Sequence, residues 1–197
     1  MSTVSRRAAL LSVAAPLAAG LAPSPAHAAS DDPVAPKRTG LTDEELLEAI
    51  RKDFVDGQYY VNGNLTRAIY REDCVFKDPS VKTVGPGPYS AAVPVIFLPE
   101  ESRADLISIE VESPRVILLR WRLEGKLRNG LQIKPYTGFT RYYIDDDGLI
   151  YNHVEGWDTS LVDVFVSCFV PSFGVPPAPP AEELRQKLDE TGKVAWF

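Results

Sequence analysis

From Leu106 to Trp157 the sequence repeats one pattern: runs of alternating apolar and polar residues, each ended by turn-forming residues. Alternation sends successive side chains to opposite faces of a strand. In VILLRWRLEGK (116–126), Ile117, Leu119, Trp121 and Leu123 take one face. Val116, Leu118, Arg120, Arg122 and Glu124 take the other. LISIEV (106–111) precedes this run, with Glu112-Ser113-Pro114 as the turn. Arg128-Asn129-Gly130 closes it, and Asn-Gly favours a tight hairpin. IKPYTGFTRYYI (133–144), the turn Asp145-Asp146-Asp147-Gly148 and LIYNHVEGW (149–157) complete the series. Strands of this length joined by short turns pair as an antiparallel meander and suit a curved sheet.

Helical signals come before the meander. Thr42 with Glu45 forms a capping box. Leu46, Leu47, Ile50 and Phe54 then fall on one face at helical spacing, with Gly57 as the stop. NLTRAIY (64–70) reads as a further helical turn or two, and Cys74–Asp78 as a short strand. In the segment that follows, Tyr89–Phe97 has helical character, but Pro94 is expected to kink it or confine it. TSLVDVFVSCFV (159–170) is a last strand or a short helix. PSFGVPPAPPA (171–181) reads as a proline-rich linker, and Glu182–Glu190 as a charged helix. Trp196-Phe197 is either a docked tail or a partner anchor.

The N-terminus has the three-part layout of an export signal. Arg6 and Arg7 precede the apolar run Ala8–Ala22, and Ala26-His27-Ala28 offers a cleavage site. The arginine pair followed by Leu10 and Leu11 fits the twin-arginine type. The run is shorter than the roughly 20 residues a membrane span needs, so no stable span is expected after its removal. The expected compartment is a thylakoid lumen, with a bacterial periplasm as the alternative. The expected divisions are a signal (1–28), a flexible leader (29–40), one domain (41–170) and a linker with a helical tail (171–197).

Loss of Arg6 and Arg7 moves the net charge from −6 to −8. An acidic surface repels phosphate backbones, which argues against nucleic acid as a partner. Cys74 and Cys168 are the only cysteines, and export permits a disulfide between them; two buried thiols are the alternative. Two cysteines and His153 are too few for a structural zinc site. The chain shows no glycine-rich phosphate loop and no nucleophile elbow. Cofactor-free acid–base chemistry or plain binding is left, and no cofactor or metal is expected.

Helices, one short strand and then a long meander make an α+β order. The order resembles the nuclear-transport-factor-2-like superfamily, which includes ketosteroid isomerases, scytalone dehydratase and SnoaL-like cyclases. IYREDCVFKDP, LLRWRLEG and TGFTRYYIDDDGLIYNHVEGWD are also similar to a plastid and cyanobacterial family of uncharacterised domains, over roughly 44–163. Some plant relatives carry that domain beside a SOUL-type haem-binding domain. This chain has no room for the second domain, so haem binding is not carried over. The resemblance implies a curved antiparallel sheet wrapped around the N-terminal helices to form a conical pocket.

Enzymes of the superfamily place acids, a tyrosine and sometimes a histidine inside that cone. By this resemblance Asp78 and His153 are the candidate catalytic residues. Asp78 continues the Cys74–Phe76 face, yet an Asp before Pro79 also forms turns. His153 shares a strand face with Tyr151, Glu155 and Trp157, where a structural role is the alternative. Tyr70, Phe76, Trp121, Tyr136, Tyr143, Trp157, Asp158, Arg120 and Arg141 are candidates to line the pocket or its mouth. Asp158 equally caps the next segment, and the two arginines equally pair with surface acids. The expected function is binding of a small apolar molecule or assistance to a protein assembly. A cofactor-free isomerase, dehydratase or cyclase and a protein scaffold are the alternatives. The expected partners are a small apolar molecule or a lumenal protein, with a homodimer as a further candidate.

Overall fold

The computed structural model describes residues 36–194 and residue 197. The export signal, the leader up to residue 35 and Trp196 lie outside the described residues.

Helix α1 (Asp43–Val55) begins at the expected capping box. Thr42 Oγ1 accepts from the Glu45 N–H at 3.2 Å, and Glu45 Oε2 accepts from the Thr42 N–H at 2.9 Å. Asp43, Glu44 and Glu45 place negative charge at the positive end of the helix dipole. Leu46, Ile50 and Phe54 are buried. Thr42→Ala is expected to lower stability by about 1 kcal/mol, seen as a lower urea midpoint at unchanged slope.

Helix α2 (Tyr59–Asn62) has no clear sequence signal, being one turn long. It puts Tyr59, Tyr60 and Val61 into the core. NLTRAIY contributes a 3-10 turn at Arg67–Ile69, and strand β1 follows (Tyr70–Lys77). Strand β2 (Lys82–Val84) pairs back on β1. Helix α3 (Pro86–Ile96) runs through Pro94. Pro94 sits in the last turn, so its missing N–H costs only the bond to the Ser90 carbonyl, and Phe97 N still reaches Val93 O at 3.3 Å.

Strands β3 (Arg103–Ser113), β4 (Val116–Lys126), β5 (Gln132–Ile144) and β6 (Ile150–Trp157) form the expected meander. The six-stranded sheet has the order β2-β1-β6-β5-β4-β3. It is mixed, because β1 lies parallel to β6 while the other neighbours are antiparallel. The chain leaves β1 through β2 and α3, not through a tight turn to β6, so no hairpin forces that pair antiparallel. Register shifts within the β3–β4, β4–β5 and β5–β6 pairs supply local bends. The main core lies between α1, α2 and the inner face of the sheet.

Strand β3 is an outer edge, and two side chains cover part of it. The Gln58 amide donates to Ala104 O and accepts from Ala104 N, both at 3.1 Å. Arg185 Nη2 donates to Leu106 O at 2.6 Å. Such cover removes a template for strand pairing.

Helix α4 (Leu161–Ser167) decides the strand-or-helix alternative for 159–170 in favour of helix. Helix α5 (Ala181–Thr191) packs Ala181 and Leu184 on Ile107 of β3. The proline-rich segment between them is docked on the sheet. Ala178 N donates to Pro135 O at 2.8 Å, and Arg122 Nε donates to Ala178 O at 3.3 Å. Among the described residues no helix is long and apolar enough to cross a membrane.

Candidate functional site

The strand alternation of β4, β5 and β6 decides what points into the cone. Leu119, Trp121 and Leu123 face inward, opposite Thr140, Gly138 and Tyr136 on β5. Tyr142 and Thr140 of β5 lie opposite His153 and Glu155 of β6. Gly138 makes room for Trp121: a Cβ there would collide with the indole and with Gly156 O. The indole Nε1 donates to Thr140 Oγ1 at 3.0 Å.

His153 is fully buried at the centre of an aromatic box. The rings of Phe76, Tyr142, Tyr89, Tyr59 and Tyr70 lie 4.8, 4.9, 5.7, 6.1 and 6.4 Å from its own. Its Nε2 lies 3.0 Å from Glu155 Oε1, and its Nδ1 has no hydrogen-bond partner. The other oxygen of Glu155 accepts from the Tyr60 hydroxyl at 2.7 Å. Tyr59 and Tyr142 share a hydroxyl–hydroxyl bond of 2.5 Å. Burial pushes the phenols of Tyr59, Tyr60, Tyr70, Tyr89, Tyr136 and Tyr142 well above their ordinary range. Nearby Glu155 adds to the rise at Tyr60.

These side chains pack between the sheet and the helices. A cavity of about 30 Å³ lies beside Glu155, lined by Phe76, Asp78, Thr83 and Tyr89 among others. That is room for about one water. A much larger groove, about 1130 Å³, lies on the outside between α1, the β3 edge and Arg185.

The expected site residues divide into four groups. Tyr70, Phe76 and His153 meet in the box, while Trp121, Tyr136 and Trp157 form a second cluster with Tyr60. Asp78 borders the small cavity, but as a turn residue. Its Oδ1 accepts from Ser80 N, Ser80 Oγ and Val81 N at 2.5–2.7 Å. Three donors on one oxygen hold it to its own loop, which favours the turn reading of Asp78 over the catalytic one.

Arg120, Arg141, Tyr143 and Asp158 do not line the cone's mouth. Arg120, Arg141 and Tyr143 alternate with inward residues and so face outward. Arg141 grips Glu112 with two bonds, of 2.7 and 2.8 Å, and lies over the Phe139 ring. Asp158 is exposed and accepts from Thr137 Oγ1 at 2.6 Å, while Ser160 caps α4. Tyr151 leaves the His153 face because the register shift between Tyr143 and Ile144 gives it no partner on β5. The Cys74–Cys168 bridge is not formed, and both thiols are free. Cys168 Sγ bonds to Val164 O of its own helix at 3.2 Å, and Cys74 is buried in β1.

Glu155, Tyr60, Tyr59, Tyr89 and Tyr142 are the site residues that sequence reasoning missed. Glu155 was within reach, two residues from His153 on the same strand face. Among the described residues no three of His, Cys, Asp and Glu cluster as metal ligands would.

The fold is α+β, a six-stranded mixed sheet packed against helices. Solved structures that the chain resembles include three bacterial proteins. One is a hypothetical protein with a ketosteroid-isomerase-like fold from Catenulispora acidiphila, in complex with trimethylamine. It is 12% identical, with TM-score 0.49, covering 69% of this chain and 100% of that one. A second is an LEH-like epoxide hydrolase from M. tuberculosis, at 16% identity and TM-score 0.43, covering 64% and 97%. The third is an NTF2-like protein of unknown function from Exiguobacterium sp. 255-15, at 14% and 0.39, covering 58% and 93%. No curated protein matches the chain. Residues 44–153 match the family described as "Uncharacterized conserved protein (DUF2358)", which spans more than half of the chain, and the protein belongs to that family.

Proposed function

We propose that this domain works through its outer surface, as a helper of protein assembly in an exported compartment, and not through the interior of its cone. The observation that carries the reading is the filled interior. Pockets for small molecules enclose about 300–1,000 Å³, against the roughly 30 Å³ left beside Glu155. A ligand larger than water enters that cavity only if side chains lining it move away. The thylakoid lumen is the compartment we favour, on the twin-arginine-type leader, and a periplasm is the alternative.

One observation favours a second reading, a cofactor-free isomerase, dehydratase or cyclase. His153, Glu155 and Tyr60 form a buried hydrogen-bonded line whose central member, Glu155, borders a small cavity. In that reading Glu155 replaces Asp78 as the base, His153 orients it, and Tyr60 donates to the charge that develops.

Native mass spectrometry with an absorption spectrum, on protein recovered from its own compartment, separates the two. The expected result is partner subunits attached to a chain free of small molecules. A stoichiometric pigment, lipid or metabolite overturns the assembly reading and makes Glu155 and His153 the first residues to substitute.

A further inference from the structure

Helix α4 is mounted with its apolar side outward. The residues it buries include two polar ones, Asp163 and Ser167. Leu161, Phe165 and Phe169 repeat every four residues on the opposite side, with Val162 and Val170 beside them. Val162 is 61% exposed, Phe165 66% and Phe169 62%. The Phe165 and Phe169 rings lie 6.3 Å apart, and Phe173 extends the exposed apolar residues past the helix end.

The helix is held in this orientation. Ser160 caps it through Asp163 N at 3.0 Å. The Asp163 carboxylate accepts from Val175 N at 2.8 Å and pairs with Lys134 at 3.4 Å. Lys134 Nζ also donates to the carbonyls of Phe173 and Val175. Gly174, at φ +71°, lies so close that any Cβ would collide with the Asp163 carboxylate. Rolling the phenylalanines inward would break this ion pair and leave its charges uncompensated.

Charge selects the occupant. Between Asp158 and Glu182 the only charged residue is Asp163, which is buried and paired. The whole chain carries a net charge of −6. A second copy or an anionic membrane would therefore be repelled, while an uncharged or zwitterionic lipid surface would not. Side chains more than three-fifths exposed also stand proud of the surface. They suit insertion into a soft interface better than face-to-face packing on an identical set of knobs. From these observations we infer that α4 and the turn after it dock on the neutral surface of a lipid bilayer, with Phe165 and Phe169 entering the boundary between headgroups and acyl chains. The inference does not depend on the assembly reading, since it concerns lipid and not a protein subunit.

Flotation with phosphatidylcholine vesicles tests it. The full chain is used with Leu10→Asp and Leu11→Asp, so that the apolar run near the N-terminus does not contribute. The expected result is co-flotation that high salt does not weaken. Phe165→Ser with Phe169→Ser lowers the partition coefficient about a hundredfold, with an unchanged far-ultraviolet spectrum. Should that pair fail to fold, Val162→Ser with Val170→Ser lowers it about tenfold. The inference is overturned by absence of flotation, by equal flotation of folded variants, or by binding confined to anionic vesicles and lost in salt. A dimer that the substitutions dissolve, without flotation, overturns it in favour of a second copy.

Discussion

Glu155→Ala is expected to destabilise the protein by about 3 kcal/mol, without touching its surface. The side chain of Glu155 is 8% exposed and makes two bonds, accepting from the Tyr60 hydroxyl at 2.7 Å and pairing with His153 Nε2 at 3.0 Å. Its removal leaves a phenol and an imidazole nitrogen buried without partners. Each orphaned group costs about 1–3 kcal/mol. His153 fares worst, because its Nδ1 already lacks a partner and the ring would then have none. The cavity beside Glu155 sets the opposing effect. Truncation enlarges it, and entering water would satisfy part of the loss, which keeps the expected value near the lower end of the summed range. Glu155→Gln retains an acceptor for one donor and is expected to cost about 1 kcal/mol. Urea titrations of the three proteins decide it. A loss below about 0.5 kcal/mol for Glu155→Ala would mean that water already satisfies the line, and the cone would then be wetter than its packing indicates.

The parts of this site legible in the sequence are those set by local rules. Alternation in 116–126 assigns both faces of β4 correctly, and Thr42 with Glu45 marks the start of α1. The same alternation already separates Arg120 from Trp121, so placing both in one pocket goes against a rule the strand obeys. Arg141 and Tyr143 fail in the same way, through their outward register against β4. Asp78 illustrates a competition between two local rules. Strand periodicity aims it inward, but the strand ends at Lys77 and the Asp-Pro turn takes over. What local rules cannot show is what fills the cone. Tyr59 reaches it from a one-turn helix and Tyr89 from a proline-rich one, and Tyr59 bonds to Tyr142, 83 residues further along the chain. Such contacts depend on how far the sheet bends over the helices. That depends in turn on register shifts, which no spacing in the sequence announces.

The filled cone has a consequence at high pH. The protein is expected to unfold sharply within one to two units above pH 10, with its six buried tyrosines ionising only as it unfolds. Six of the eight tyrosines have phenols pushed up, first by burial. In the unfolded chain a phenol ionises near pH 10. A pKa raised in the folded state contributes stability that is complete below the unfolded value and is lost as pH rises past it. Above pH 10 the unfolded chain sheds protons that the folded protein keeps. Each such group then contributes a slope of about −1.4 kcal/mol per pH unit, and six give about −8. Cys74 acts in the same direction from a lower starting point, since burial raises its thiol from 9.0 to about 12. Domains are stable by about 5–15 kcal/mol, so a slope of this size consumes the margin quickly. Phenolate absorbance and far-ultraviolet circular dichroism, followed together through an alkaline titration, give the answer. Coincident steps, with at most two tyrosines ionised beforehand, fit an interior closed to water. Early ionisation of most tyrosines at intact secondary structure would show that solvent enters the cone. It would then return the weight of the functional argument to His153, Glu155 and Tyr60.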